Sequence, residues 1–349
     1  MDVSLVIVCH RSTRVLPGCV ESFRREAATT GVEAEIIAVE HSEDPAELDR
    51  VRAAGVDRVL ELPNRGYSAG LNAGARVATG EIVLLGNPDI SFLEGSLAGL
   101  LDTLGLGYDV VGPQLVWDEG GEVLLPAAED PAPHAELVRA VRRRSPRAWS
   151  AGLTQSLDRE WRLWTADGAR DVACLRGALL AVTRETLDRF GPFDEGYFLY
   201  YEETEWLWRA RRRGARLALV GTSRVQHRWG HATGQNNGEV GQEERSRRRF
   251  VERNYNSMWR RVLRSVGRHH RSPLQPIQLG QNDSPPEIEN DLWLASPNPH
   301  LMPALGVVRS SSLPPAFVEF CLAWRWVVAT ASRPGGRWKI DSAWTWNPS

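Results

Sequence analysis

The feature that most restricts the fold is an alternation of short apolar runs and helical segments in the first 115 residues. The apolar runs, each of the length of a buried strand, are residues 4–8, 33–39, 59–60, 82–85 and 110–115. Segments with helical character lie at residues 15–27 and 45–54, between the first three runs. Strands that alternate with helices predict an α/β fold with a mostly parallel sheet and right-handed crossovers.

The stretch from Asn64 to Asp89, NRGYSAGLNAGARVATGEIVLLGNPD, combines a small-residue turn, a short helix and a strand. Its glycines, such as Gly66, keep side chains small where the backbone must approach another group closely. Asp89 falls just past the carboxyl end of the strand, and open α/β sheets bind ligands at that edge. An acid there is well placed to hold a divalent metal against a nucleotide diphosphate.

These elements, in this order, resemble the pattern N-x-G-[FY]-[AS]-x-G-x-N-x-G, then A-x-G and a strand ending N-P-D or D-x-D, of the family 2 glycosyltransferases. The resemblance covers about residues 3–265 and includes rhamnosyltransferase-like enzymes. It implies a GT-A fold and a metal-assisted, inverting transfer of a sugar from a nucleoside diphosphate, dTDP or UDP, to an acceptor hydroxyl. It also places Asn64, Gly66, Asn87 and Asp89 at the donor, with Asp89 as a ligand of Mg²⁺ or Mn²⁺.

A second motif, FDEGYFLYYEETEW at residues 193–206, resembles the family pattern F-D-E-x-F-F-x-Y-x-E-D-x-D. In that comparison Glu203 takes the position of the Asp that acts as base, so its carboxylate reaches one methylene further. Glu202 and Glu205 are alternatives for the same role. The start of a helix favours the ionised acid and an aromatic wall favours the neutral one, and the sequence does not decide between them.

The third element is His227, which the resemblance makes a metal ligand because Gly230 follows it three residues later. His227 and His231 would form a two-His zinc face if they lay on a helix, but Gly230 favours a loop. We therefore expect His227 to act with Asp89, with diphosphate oxygens and water completing the shell. The alternative is a loop histidine that binds no metal.

Glu40, in Glu40-His41-Ser42, stands where relatives carry an acid that accepts a hydrogen bond from N3–H of uracil or thymine. Glu40 can make the same bond with a longer side chain. Two other readings remain open for the whole chain. One is a non-catalytic carbohydrate- or nucleotide-sugar-binding scaffold. The other is a sugar nucleotidyltransferase, although the segment after Val8 lacks the Gly-rich, basic loop that would bind a triphosphate.

The net charge of -2 argues against a nucleic-acid partner. Arginines nevertheless cluster, for example at residues 209–216 and 245–249, either as solvated helix faces or as contacts to phosphate. The four cysteines fit neither a zinc site nor a disulfide framework. With no apolar run long enough for a membrane helix, we expect a cytoplasmic protein that acts in carbohydrate or natural-product biosynthesis.

The expected domains are a GT-A domain at residues 1–265 and a C-terminal module at residues 272–349. Within the first, residues 1–115 form the nucleotide-sugar half, residues 116–170 a variable insertion, and residues 171–265 the acceptor half. Several prolines open the C-terminal module, and aromatic and β-branched residues follow, which predicts a partly β structure. This module is a candidate for homo-oligomer contacts or for covering the acceptor cleft.

Overall fold

The computed structural model describes residues 2–142, 146–227, 237–266, 274–280, 283–297, 301–324 and 326–346. Its strands are β1 (Asp2–Cys9), β2 (Glu33–Glu40), β3 (Arg58–Glu61), β4 (Ile82–Gly86), β5 (Ile90–Phe92), β6 (Val110–Val116), β7 (Ala169–Asp171), β8 (Leu179–Thr183), β9 (Leu217–His227), β10 (Ile277–Leu279), β11 (Leu292–Ser296), β12 (Leu305–Val308), β13 (Val327–Ser332) and β14 (Lys339–Trp346). Its helices are α1 (Leu16–Thr30), α2 (Pro45–Ala53), α3 (Tyr67–Val77), α4 (Ser96–Gly105), α5 (Pro133–Arg142), α6 (Pro146–Trp164), α7 (Arg184–Phe190), α8 (Glu202–Arg212), α9 (Asn237–Asn254), α10 (Ser257–Val266) and α11 (Pro315–Ala323).

The chain divides into two compact units, and the first comprises residues 1–115, 128–131 and 166–256. Its sheet has the strand order β3-β2-β1-β4-β8-β6-β9-β5, with β7 beside β9. The first four strands in that order are parallel, and β8 pairs with β4 in the antiparallel direction. The predicted α/β class is therefore confirmed, with parallel pairing among β3, β2, β1 and β4.

The parallel strands are apolar along their length because helices cover the sheet. Seven of the eight residues of β1 are buried, as are all five of β4. Helix α3 lies close against β1: a Cβ atom at Gly74 would stand only 2.2 Å from Cγ1 of Val6 and 3.2 Å from Cγ2 of Val39. The glycines of the Asn64–Asp89 stretch thus bring this helix down onto the sheet.

The second unit comprises residues 116–127, 132–165 and 257–349. It contains a five-stranded sheet in the order β10-β14-β13-β11-β12, which confirms a separate C-terminal sheet module. Side chains of α6 bind this module: Asp158 accepts a hydrogen bond of 3.1 Å from the indole N–H of Trp338 and pairs with Arg333 at 2.9 Å. The sequence analysis assigned residues 116–170 to the GT-A domain as a variable insertion, and the predicted domain boundaries stay a prediction.

Three parts of the fold were not anticipated from the sequence. Strand β5 and helix α4 lie in a segment for which no element was predicted, and the insertion, expected to be irregular, carries helices α5 and α6. Prolines and tryptophans obscure the helical period of the insertion.

Within the described residues, no helix is both long enough and apolar enough to cross a membrane.

Replacing Gly74 by Ala should destabilise the first unit by about 1–3 kcal/mol, because the added methyl overpacks Val6. A gain of about 1 kcal/mol in helix propensity offsets part of that cost. Urea unfolding measures the change. The matched control is Gly105→Ala at the end of α4, where a Cβ would meet no heavy atom within 4 Å. An equal loss of stability in both variants would contradict the packing argument.

Candidate functional site

The carboxyl ends of β2, β1 and β4 lie side by side and form one edge of the first sheet. In the parallel register Cys9 is opposite Glu40, and Ile7 is opposite Gly86. Glu40 and the Asn87–Asp89 turn therefore flank the residues that follow β1. This is the edge at which open α/β sheets bind their ligands.

Glu40 is only 2% exposed, and one of its two carboxylate oxygens accepts a hydrogen bond. Oε1 accepts a hydrogen bond from the main-chain N–H of Ser42, whereas Oε2 has no hydrogen-bond partner among the described residues. The loops after β1 and β2 are joined, since His41 N–H donates to the Cys9 carbonyl at 2.9 Å and Arg11 N–H donates to Ser42 Oγ at 2.7 Å. A buried acceptor without a partner at this edge is a candidate contact for a ligand N–H.

Asp89 and His227 meet because β5 pairs with β9, which places Ile90 opposite His227. The distance from Asp89 Oδ1 to His227 Nε2 is 3.5 Å. Asp89 is 8% exposed, and its Oδ1 has no hydrogen-bond partner within the described part of the chain. The two predicted metal ligands are thus adjacent, while the predicted Gly230 and His231 lie outside the described residues.

A carboxylate oxygen and an imidazole nitrogen suit a divalent cation whose remaining ligands come from phosphate and water. Searching the described ranges finds no group of three or more His, Cys, Asp or Glu side chains that could hold a metal. The described residues therefore offer a metal two ligands at this point. A tightly held, all-protein metal cage does not fit this pair.

The start of α3 is held by hydrogen bonds against the loop at residues 193–198. Gly66 has φ 99°, and a Cβ there would lie 2.6 Å from the Phe198 carbonyl oxygen, so only glycine fits. Tyr67 N–H donates to that carbonyl at 2.7 Å, and Ser68 Oγ donates to the Tyr197 carbonyl at 2.7 Å. These hydrogen bonds fix the chain that leads into the predicted catalytic acids.

Two asparagines of the first motif support this arrangement. Asn64 Oδ1 accepts a hydrogen bond of 3.1 Å from Gly66 N–H, which closes the turn before α3. Asn72 binds both main-chain groups of Phe193, donating at 3.0 Å and accepting at 2.9 Å. The amide oxygen of Asn64 and the amide of Asn72 therefore already serve the fold.

The predicted acids lie in the first turn of α8. Glu205 forms an ion pair with Arg209, whose Nε is 3.1 Å from Oε1. Glu202 is 6% exposed, and no partner for its Oε2 is found in the described ranges. Glu203 lies against Gly177, where a Cβ would stand 2.9 Å from Cγ of Glu203 and 3.1 Å from Cδ. Glu205 is thus engaged in an ion pair, and Glu202 and Glu203 remain as candidate acids.

Burial decides the question that the sequence left open about these acids. It raises the pKa of Glu202 well above its ordinary value, and the neighbouring Glu203 raises it further. Burial also raises the pKa of Glu203, although main-chain N–H groups at the helix start and the charge of Arg176 oppose the shift. The pair therefore holds a proton more tightly than an exposed carboxylate does.

The side chain of Tyr67 links the two halves of the site. Its pKa is raised well above the ordinary value, first by burial and then by the carboxylates of Glu202, Asp89 and Glu203. The phenol donates a hydrogen bond of 2.7 Å to Asn87 Oδ1. The charges of the acid pair and of Asp89 thus both raise the pKa of one hydroxyl, an effect that the sequence analysis did not anticipate.

Arginines near the site bind protein groups. Arg249 pairs with Asp194 at 3.0 Å and lies over the ring of Tyr197, and Arg253 is 3.8 Å from Asp194. Arg209 donates to the carbonyls of residues 190 and 192 in addition to binding Glu205. For these arginines, the contacts support the loop before α8.

The cysteines near this edge are not candidate nucleophiles. Burial raises the pKa of Cys9 to about 12, with smaller contributions from the charges of Glu40 and Glu47. Burial likewise raises the pKa of Cys174 to about 12. The thiolate is the reactive form, so these two side chains serve as small core residues.

Comparisons with known proteins agree with this geometry. Residues 4–174 match the family model described as Glycosyl transferase family 2. These residues thus carry a family 2 glycosyltransferase domain, and the resemblance identified in the sequence is confirmed. With the observed α/β sheet, this match also confirms the predicted GT-A fold class.

Two curated relatives are similar over part of their length. The chain is 25% identical over 217 residues to the low-salt glycan biosynthesis hexosyltransferase Agl10 of Haloferax volcanii, a match of 60% of this chain and 62% of the relative. It is 29% identical over 185 residues to N-acetylglucosaminyl-diphospho-decaprenol L-rhamnosyltransferase of Mycobacterium tuberculosis, a match of 52% and 58%. The matched region thus spans about three fifths of each relative.

Solved structures also resemble this chain. Mannosyltransferase PcManGT from Pyrobaculum calidifontis, in complex with GDP-Man and Mn²⁺, matches with a TM-score of 0.47 and 16% identity, over 75% of this chain and 68% of that one. GalNAc-T7 with UDP, GalNAc and Mn²⁺ matches with a TM-score of 0.46 and 19% identity, over 65% and 43%.

Glu202→Gln is expected to stabilise the protein at pH 8. A raised pKa means that the folded state disfavours the ionised acid, so the free energy of unfolding falls as the pH rises from the unfolded-state value, about 4.3, through the folded-state pKa. Glutamine does not ionise, so the variant should gain about 1.4 kcal/mol for each unit of pKa shift. At pH 4 the two proteins should unfold alike.

Denaturant unfolding at both pH values measures this difference. Glu205→Gln is the control, because it removes the ion pair with Arg209 and should bring no gain at pH 8. Equal stability of the wild type and Glu202→Gln at pH 8 would refute the shift.

Proposed function

We propose that this protein transfers a sugar from a nucleoside-diphosphate sugar to an acceptor hydroxyl, with inversion at the anomeric carbon. The observation that carries the proposal is the pairing of Asp89 with His227 at 3.5 Å, together with the acid pair Glu202 and Glu203 at the start of α8. Carboxylates of both groups raise the pKa of the Tyr67 phenol. This reaction requires a group that stabilises the charge of the leaving diphosphate. It also requires a carboxylate that takes the proton of the acceptor hydroxyl.

Asp89 Oδ1 and His227 Nε2 would hold the divalent cation, Mg²⁺ or Mn²⁺. When bound, such a cation neutralises charge on the leaving diphosphate. Asp89 suits the role because its Oδ1 is buried and, in the part of the chain described, lacks a hydrogen-bond donor. Diphosphate oxygens and water would complete the shell that two protein ligands leave open.

Glu203 is our candidate for the general base. The acceptor oxygen forms a bond to the anomeric carbon, its proton passes to the Glu203 carboxylate, and the bond to the diphosphate breaks with its electron pair on oxygen. A pKa raised by burial makes Glu203 a stronger base at neutral pH. Gly177 lies against the side chain and limits where the carboxylate can stand. Burial and the charge of Glu203 raise the pKa of the neighbouring Glu202 as well.

Glu40 is proposed to read the nucleobase. Its buried Oε2 can accept a hydrogen bond from N3–H of uracil or thymine, which supports a UDP- or dTDP-sugar as donor. Gly66 brings the chain close, while the amide oxygen of Asn64 is used in the turn. Asn64 therefore supports the shape of the donor site through Gly66.

The acceptor is proposed to be a hydroxyl of a carbohydrate or glycan precursor. The names of the two curated relatives, a glycan-biosynthesis hexosyltransferase and a rhamnosyltransferase, support this class. A retained fold that binds nucleotide sugars without catalysis is the second candidate. The adjacent acids Glu202 and Glu203, whose pKa values are raised by burial, favour catalysis, because a binding scaffold needs no such pair.

The test is release of nucleoside diphosphate from a panel of UDP- and dTDP-sugars with Mn²⁺ and simple glycoside acceptors. Asp89→Asn and Glu203→Gln should each lower the transfer rate by about 10²–10⁴-fold while the thermal midpoint is kept. Chelation of the metal should stop the reaction, and added Mn²⁺ should restore it. The matched control is Asp49→Asn, an exposed acid on α2 paired with Arg52, which should keep full activity.

Other results would contradict part of this proposal or favour another function. Full activity of Glu203→Gln would remove Glu203 from the mechanism. Release of pyrophosphate in place of nucleoside diphosphate would indicate a nucleotidyltransferase. Binding of sugar nucleotides without turnover on any acceptor tested would favour the scaffold.

A further inference from the structure

The hydrogen bond between Tyr67 and Asn87 joins the first turn of α3 to the turn after β4. The Tyr67 hydroxyl donates to Asn87 Oδ1 at 2.7 Å. The main chain of Asn87 is also held, because its N–H donates to the Ala178 carbonyl at 3.0 Å and its carbonyl accepts from Cys19 Sγ at 3.9 Å. Asn87 is therefore fixed both through its backbone and through its amide oxygen.

The hydrogen bond uses one end of the Asn87 amide, its oxygen. An amide can present either its oxygen or its NH₂ group, and the two orientations differ by a rotation of half a turn. With Oδ1 bound to Tyr67, the NH₂ group is the free end, and no partner for it is found among the described residues. Asn87 is half-buried, so this group lies within reach of a ligand.

Two residues later the same turn presents the opposite chemistry. Asp89 offers an oxygen without a hydrogen-bond partner among the described residues, which can accept hydrogen bonds or bind a cation, whereas Asn87 offers two N–H donors. A nucleoside-diphosphate sugar carries both matching groups: anionic or hydroxyl oxygens for Asn87, and a metal-bound diphosphate for Asp89. An amide turned the other way would place a second acceptor beside the anionic ligand and repel it.

We propose that the hydroxyl of Tyr67 is a positioning group for donor binding, which holds Asn87 with its NH₂ group toward an oxygen of the donor. The inference rests on the proposed function. The hydroxyl is separable from the fold, since the family pattern that this segment resembles accepts Phe or Tyr at this position. Tyr67→Phe therefore removes the hydrogen bond and keeps the ring.

The experiment is calorimetry of UDP and dTDP binding in the presence of Mn²⁺, with the full chain. Tyr67→Phe should weaken binding by about 3–10-fold, the range for loss of one hydrogen bond, and leave the thermal midpoint close to that of the wild type. Asn87→Ala should weaken it at least as much. In the Asn87→Ala background, Tyr67→Phe should change binding by less than about twofold, because the hydroxyl acts through Asn87.

Tyr108→Phe is the matched control. It also removes a tyrosine hydroxyl, one whose pKa is raised by Asp171, and Asp171 pairs with Ala218 at the opposite end of β9 from His227. Binding should not change in this variant. In kinetic measurements, Tyr67→Phe should raise KM for the donor and leave kcat within about twofold, which a general loss of structure would not produce.

The outcomes separate this inference from the proposed function. Wild-type binding of UDP or dTDP with full affinity retained in Tyr67→Phe would overturn the inference alone. So would effects of Tyr67→Phe and Asn87→Ala that multiply in the double variant, since Tyr67 would then act independently of Asn87. Absence of nucleotide binding by the wild type would overturn the proposed function and, with it, this inference.

Discussion

The close approach of Gly66 and Tyr67 to the Phe198 carbonyl is the contact on which the rest of the site depends. The Tyr67 N–H donates to that carbonyl at 2.7 Å, and the neighbouring Ser68 hydroxyl binds residue 197. Because these bonds join segments about 130 residues apart in the chain, they bring the donor half and the acid-bearing helix together. A side chain at Gly66 would occupy the space of residue 198 and break the contact.

The site concentrates negative charge that the fold itself does not neutralise. Glu40, Asp89 and Glu202 each keep a buried carboxylate oxygen without a hydrogen-bond partner in the described chain. Such groups cost stability in a protein that is only marginally stable. A ligand or a cation can supply the missing partner and so offset this cost. Glu40 ends β2 and Asp89 follows β4, at one edge of the sheet, and that position agrees with the proposed nucleotide-binding site. The raised pKa values of Glu202 and Glu203 on α8 reflect the same cost of burial.

Much of this arrangement could be predicted from the sequence. The alternation of strands and helices predicted the sheet. The motif around Asn64–Asp89 predicted the sheet edge that is proposed to bind the donor, and the acids of α8 were predicted at the start of a helix. What could not be predicted were contacts between distant segments. The pairing of β5 with β9 brings His227 to Asp89, and β5 is only three residues long, too short to show a strand period. The grouping of α6 with the C-terminal sheet likewise depends on tertiary contacts.

The sequence by itself determined the family, the order of the elements and the candidate residues, because local patterns of apolar, small and acidic side chains carry that information. Only the tertiary structure decided which of these acids forms an ion pair and in which direction their pKa values shift. Glu205 is bound to Arg209, and burial outweighs the helix start in raising the pKa of Glu202 and Glu203. It also decided the orientation of Asn87, through a tyrosine twenty residues earlier. These outcomes depend on desolvation and on distances across the fold, and neither is encoded in the spacing of residues along the chain.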